Sequence, residues 1–236
     1  MPSGQQDVPA MKFLLTCEHA FSDIPKFYQE LFKFDNHVLE THEAFDPGAF
    51  DLFKYLEPLA DFSKYQRVGR LLIETNRSLH HPKLFSRFSQ DLKNEDKQFL
   101  IQKLYQPYRD EIEKKIASWL KNGEKIIHIS VHSFTPILNE IERNCDIGLL
   151  YDPARIREKE FCSEWKKKMK LINLGYSVRF NYPYLGKADG FTTYLRKKFG
   201  TEYCGIELEI NQKWANENKM NLDLKNLVFE SLKISK

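Results

Sequence analysis

The chain has 236 residues, of which 42% are apolar, with 36 basic and 33 acidic side chains and a net charge of +3. That size and apolar content suit a folded α/β domain with its own core and argue against a disordered chain, while the balance of charge gives no ground for a nucleic-acid partner. No apolar run approaches the ~20 residues of a membrane span, and the opening MPSGQQDVPA lacks the basic and apolar regions of a signal peptide, so the expectation is a disordered lead-in over residues 1–10, a single domain over 11–236, no membrane partner and a cytoplasmic location.

Taken in order, residues 12–16 form a short buried strand that runs into Cys17-Glu18-His19. Residues 26–34 have a helical period with Phe27, Leu31 and Phe34 on one side. Asp46-Pro47 then places a carboxylate and a proline where a helix begins, and Phe50, Phe53 and Leu56 mark its buried stripe. Residues 70–74, RLLIE, read as another core strand, ending in Thr75-Asn76-Arg77, and a loop follows over 78–89. The longest helical stretch spans 93–121, with Leu100, Leu104, Tyr108, Ile112, Ile116 and Leu120 recurring every four residues. Pro107 is expected to kink it and Gly123 to stop it.

The segment 125–136, KIIHISVHSFTP, is the centre of the pattern: a buried strand through Ile126, Ile127, Ile129 and Val131 that stops at His132-Ser133. Further strands are expected over 146–151, 176–180 and 203–210, and helices over 153–170, 191–199 and 222–234. Strands alternating with helices predict an α/β fold in three layers, α/β/α, around a mostly parallel sheet. Cys17, Cys145, Cys162 and Cys204 are widely separated, contain no CxxC pair, and read as free thiols in a reducing compartment.

In an open α/β sheet, chemistry collects at the carboxyl ends of the strands. His19 and His132 stand at two such ends. Two imidazoles joined by a carboxylate make a catalytic zinc set, and the candidates for the carboxylate are Glu18, adjacent to His19, and Asp46, which capping alone also explains. Glu207 and Glu209 lie two apart on the last strand and so share a face; they suit either an exposed edge strand or a general base beside a metal. Arg77 and Arg143 could each grip a carboxylate or make a surface ion pair.

In these residues the chain resembles the N-formylglutamate amidohydrolase family, a distant branch of the zinc carboxypeptidase-like and aspartoacylase-like hydrolases. The matching segments are LLTCEHA with the following IP, THEAFDPGA, GRLLIETNRS with HHPKLFS, VHSFTP, RNCDIGLLYDPAR, NYPY with ADG, and IELEINQ, in order from Leu14 to Gln212. The resemblance implies a zinc-carboxypeptidase-like mixed sheet and one catalytic Zn2+ per chain. It places metal ligands at His19 and His132, with Asp46 as the third and Glu18 behind it. It makes Asn76 and Arg77 a substrate-gripping pair, gives Arg77 or Arg143 the substrate's carboxylate, and makes Glu209 rather than Glu207 the general base. Two positions depart from the pattern: Ser22 stands three residues after His19 where carboxypeptidase-like enzymes have a ligating glutamate, and Glu74-Thr75 precede Asn76 where the family has an aspartate. The implied reaction is hydrolysis of an N-acyl amino acid, first of all N-formyl-L-glutamate to formate and glutamate. The alternatives are another N-acyl amino acid or small peptide as substrate, and a catalytically silent binding protein of the same fold.

Overall fold

A computed structural model describes residues 11–235; the lead-in expected over residues 1–10 lies outside the described residues. Its strands are β1 (Met11–Cys17), β2 (Phe62–Tyr65), β3 (Lys125–Phe134), the short hairpin β4 (Ile137–Leu138) and β5 (Ile141–Glu142), β6 (Ile147–Leu150), β7 (Val178–Phe180), β8 (Tyr203–Asn211), and a second short pair, β9 (Ala215–Asn216) and β10 (Lys219–Met220). Six of them form the central sheet in the order β2-β1-β3-β8-β6-β7. Neighbours run parallel except β6 and β8, which are antiparallel. The α-helices are α1 (Ala49–Leu56), α2 (Asn94–Leu100), α3 (Gln106–Lys121), α4 (Ile156–Ile172), α5 (Phe191–Phe199) and α6 (Leu222–Lys233). This is the expected three-layer mixed sheet. Among the described residues, no helix is long and apolar enough to cross a membrane.

The two faces of the sheet differ, and the difference positions the site. On one face Leu15, Cys17, Ile129, Val131, Leu208 and Ile210 pack against α1, α4 and α6 around Trp165 and Leu224, so that face is apolar along its whole length. On the other, Leu14, Ile126 and Tyr203 pack against α3 and α5 near the start of the strands. Farther along that face the side chains become Thr16, Ser130, His132 and Glu209, all buried. Register aligns them: Thr16 pairs with Ser130, Ser130 with Glu207 and His132 with Glu209. β8 is therefore interior to the sheet, and the edge-strand explanation of its two glutamates does not hold.

Three sequence expectations change. Residues 70–74 form no strand; Leu71, Leu72 and Ile73 are buried in small clusters with Phe32, Tyr28 and Leu84 instead. A continuous apolar run has the same pattern in a buried loop as in a buried strand, and the sheet edge is taken by the half-buried β2. The segment Lys26–Phe32 is a 3-10 helix that buries Tyr28 and Phe32, leaving Phe27 and Phe34 97% and 93% exposed. The tighter winding turns a different side inward. Finally, a π-helical turn, Ile101–Tyr105, separates α2 from α3, with Pro107 just beyond it. The expected stripe holds at Leu100, Tyr108, Ile112 and Ile116, while at its ends Tyr105 is buried in preference to Leu104 and Trp119 in preference to Leu120, both leucines being only partly buried.

Beneath α5 a buried ion pair ties three elements together. Arg196 Nε donates to both carboxylate oxygens of Glu158, at 2.9 and 3.1 Å, while Glu158 accepts Asp152 and Gly205 backbone N–H groups. Removing one partner strands a buried charge, at a cost of about 3–5 kcal/mol. Glu158→Ala should lose that much stability in urea unfolding; a loss under about 1 kcal/mol would show that the pair does not hold α4, α5 and β8 together.

Candidate metal centre and active site

His132 lies on β3, close to its carboxyl end, and His19 lies two residues beyond β1. Asp46 approaches from the loop before α1, where its backbone N–H donates to the carbonyl of His19 at 2.9 Å. Its side chain does not cap the helix. Gly48, at φ 76°, holds the N-cap position, which leaves the Asp46 carboxylate free to turn inward. The His19 Nδ1, His132 Nδ1 and Asp46 Oδ2 atoms converge: the two nitrogens are 3.2 Å apart, and the oxygen is 3.4 Å from the first and 3.1 Å from the second. All three side chains are buried.

The outer hydrogen bonds fix the tautomers. His19 Nε2 meets Glu74 Oε1 at 2.7 Å, and a carboxylate can only accept, so Nε2 carries the proton and Nδ1 presents a lone pair inward. Ser130 spends its single hydroxyl proton on Glu18 Oε2 at 2.5 Å. It therefore accepts from His132 Nε2 at 2.8 Å, and His132 Nδ1 likewise points inward as a lone pair. Two lone pairs and a carboxylate oxygen facing one point repel unless positive charge sits among them. Without an ion, a proton on His132 Nδ1 supplies that charge: burial pulls the imidazole down, yet hydrogen bonds to Asp46 and Glu18 hold it well above its usual value.

This donor set fits a divalent cation. Ligands about 2.0–2.1 Å from a tetrahedral zinc stand roughly 3.3 Å apart, which matches the 3.1–3.4 Å separations here. Each imidazole has a partner for its other nitrogen, the arrangement that orients metal-ligating histidines. Glu18 is not one of the converging donors. It lies beneath His132, bonded to Ser130 and to the Tyr108 hydroxyl at 3.0 Å. Despite burial, the hydrogen bond and charge of His132 hold its carboxyl far below the usual range.

The centre opens on a cavity of about 210 Å³ lined by Glu209, Glu207, Asn76, Arg77, Tyr184 and Leu185, among others. A larger groove of about 490 Å³ beside β2, lined by Lys64, Arg67 and Glu111, brings together no such donors. Glu209 is 5% exposed, and its Oε2 has no hydrogen-bond partner. Burial, helped by the charges of Asp46 and Glu207, pushes its carboxyl up to about 8. Glu207 accepts from Thr192 Oγ1 at 2.7 Å. Asn76 and Arg77 reach the cavity, but each also holds the opposite loop: Asn76 Oδ1 accepts the N–H of Phe191 at 2.8 Å, and Arg77 Nη1 donates to the carbonyl of Asp189 at 2.6 Å. Arg143 is not among the lining side chains; it stands behind Tyr184, its Nη1 3.1 Å from that hydroxyl.

Sequence reasoning missed two residues of the centre. Arg70 donates to Asp46 Oδ1 at 2.6 Å and lies 3.2 Å from His19 Nδ1, and its position is pinned by the carbonyls of His42 and Glu43. Glu74 holds His19 and, against burial, is lowered by the charge and hydrogen bond of that imidazole and by Arg70. Their signal was present in RLLIE, where two opposite charges bracket three buried apolar residues.

Comparison with known proteins gives the chain a family and relatives of the same fold. No curated protein matches the chain significantly. A gene product of Agrobacterium tumefaciens of known structure is 26% identical and superposes with a TM-score of 0.78, over 94% of this chain and 91% of that one. An N-formylglutamate amidohydrolase from Ralstonia eutropha JMP134 shares the fold at 15% identity and a TM-score of 0.67, over 97% of this chain and 92% of that one. The profile of the family described as N-formylglutamate amidohydrolase matches residues 11–215, and with that match spanning most of its length the chain belongs to the N-formylglutamate amidohydrolase family.

Proposed function

We propose that the protein is a zinc-dependent amidohydrolase that cleaves the amide of an N-acyl amino acid, with N-formyl-L-glutamate as its substrate and formate and glutamate as products. The reading rests on one observation above all: three buried donor atoms of His19, Asp46 and His132 converge beside the unpartnered Oε2 of Glu209. Family membership supports hydrolysis of a linear amide, and the name of the Ralstonia relative supports the choice of acyl group.

His19, His132 and Asp46 would hold the ion, and when bound it supplies Lewis acidity, polarising a carbonyl oxygen and acidifying water. Glu209 takes the proton of the attacking water through Oε2 and returns it to the amide nitrogen as the C–N bond breaks. The water oxygen leaves in the carboxylic acid, and the amino acid leaves as the amine. A base held near the working pH both accepts and releases a proton, and the burial of Glu209 serves that end. Arg77 grips the substrate's carboxylate from the cavity wall, with Asn76 beside it. Arg143 acts one layer back by fixing Tyr184. The cavity volume, about 210 Å³, admits a small carboxylate and not a folded chain.

Three outcomes follow. Titration calorimetry on metal-stripped protein should give one zinc per chain, and His132→Ala or Asp46→Ala should lose that stoichiometric binding; unchanged binding in both variants would remove the site. In zinc-loaded protein, Glu209→Gln should slow formate release from N-formyl-L-glutamate by about 100-fold or more with zinc content intact; an equal rate would exclude Glu209 as base. In metal-free protein, Glu209 has a folded value of about 8 against an ordinary 4.5, so its contribution to stability is fully present below the lower value and is lost as pH rises through the upper one. Glu209→Gln should therefore gain stability on wild type across that range, by at most about 1.4 kcal/mol per pH unit; parallel pH–stability curves would contradict the raised value.

A further inference from the structure

Arg109 lies on α3, outside the cavity, and is 3% exposed. No carboxylate among the described residues forms an ion pair with it. Its charge meets backbone carbonyls and rings instead. Its Nη1 donates to the carbonyl of Arg77 at 2.8 Å, to that of Thr75 at 3.4 Å, and to the Tyr105 hydroxyl. Tyr105 in turn donates to the same Arg77 carbonyl at 2.7 Å. The guanidinium carbon stands 4.8, 4.3 and 4.4 Å from the ring centres of Tyr105, Phe191 and Tyr194.

Burying a charge with no carboxylate in direct contact is costly even with the charges of Glu113 and Glu18 acting on it from farther off, and an apolar side chain of similar volume often serves a core's stability as well or better. What Arg109 does that an apolar residue cannot is hold two carbonyls of the Thr75–Arg77 backbone at once. That segment is latched to the loop before α5 from above. Asn76 accepts the N–H of Phe191 at 2.8 Å, Arg77 donates to the carbonyl of Asp189 at 2.6 Å, and Asp189 Oδ2 accepts the N–H of Ser78 at 3.0 Å. Phe191 carries the ring that Arg109 covers, so one guanidinium touches both halves of the latch.

We propose that Arg109 is a positioning residue for substrate binding, fixing the Thr75–Arg77 backbone from beneath so that Asn76 and Arg77 meet the substrate's carboxylate in the right place. This rests on the reading of Arg77 as the carboxylate anchor. An anchor that binds ground and transition states equally controls KM more than kcat. The test uses the full zinc-loaded chain with Arg109→Met and, as the conservative variant, Arg109→Lys. Arg109→Met should raise KM for N-formyl-L-glutamate by roughly 10- to 100-fold with kcat little changed, and Arg109→Lys should recover part of the loss. Amide hydrogen exchange should quicken at residues 75–78 and 189–191 while β3 and β8 keep their protection. Wild-type KM together with wild-type exchange in those loops would overturn the proposal, as would an equal loss of protection throughout the sheet in both variants. Should the wild-type protein cleave no N-formyl amino acid, the functional reading falls, and the exchange comparison still decides whether Arg109 orders the two loops.

Discussion

The structure turns on two buried imidazoles whose inward nitrogens are 3.2 Å apart. Neither can turn away, because each has its outer nitrogen committed: His19 to Glu74, and His132 to Ser130 and Glu18. With Asp46 facing both, the carboxyl groups of Glu18, Glu74 and Glu209 complete a largely buried acidic surround beside the cavity, and Arg70 is the arginine that reaches into it. Such a cluster is stable only with positive charge at its centre. The proposed zinc and the upward pull on His132 are two expressions of the same demand.

The sheet makes this arrangement possible. Parallel neighbours bring the ends of β1 and β3 side by side, and in-register pairing sets Glu209 next to His132. One face is apolar from end to end, so the strands are anchored against α1, α4 and α6 independently of the site. The other face is apolar only at its beginning, which leaves its far half free to carry polar groups. Stability and chemistry are thus separated across one layer, and the buried histidines and glutamates need not weaken the main core.

Much of this was legible in the sequence because strands write their faces in a period of two. Glu207 and Glu209 share a side on spacing alone, and the β-branched run before His132 marks a buried strand. What the sequence could not convey was loop geometry. Arg70 and Glu74 reach His19 from a segment that has the composition of a strand and the backbone of a series of turns. Asp46 before Pro47 has the local signature of a cap, and only the turn at Gly48 releases it for other use. Arg109 reads as one more charge on a helix until its neighbours, most of them more than 30 residues away in the chain, are seen to be carbonyls and rings. Contacts of that kind depend on tertiary placement, which periodicity does not encode.

The most direct measurement is X-ray absorption at the zinc edge on protein loaded with one equivalent of the metal. Two imidazole nitrogens and one carboxylate oxygen at about 2.0–2.1 Å, with a light atom in the remaining position, is the expected first shell. A shell containing sulfur, or one made of oxygen alone, would place the ion elsewhere and contradict the convergence of His19, Asp46 and His132 on a single cation.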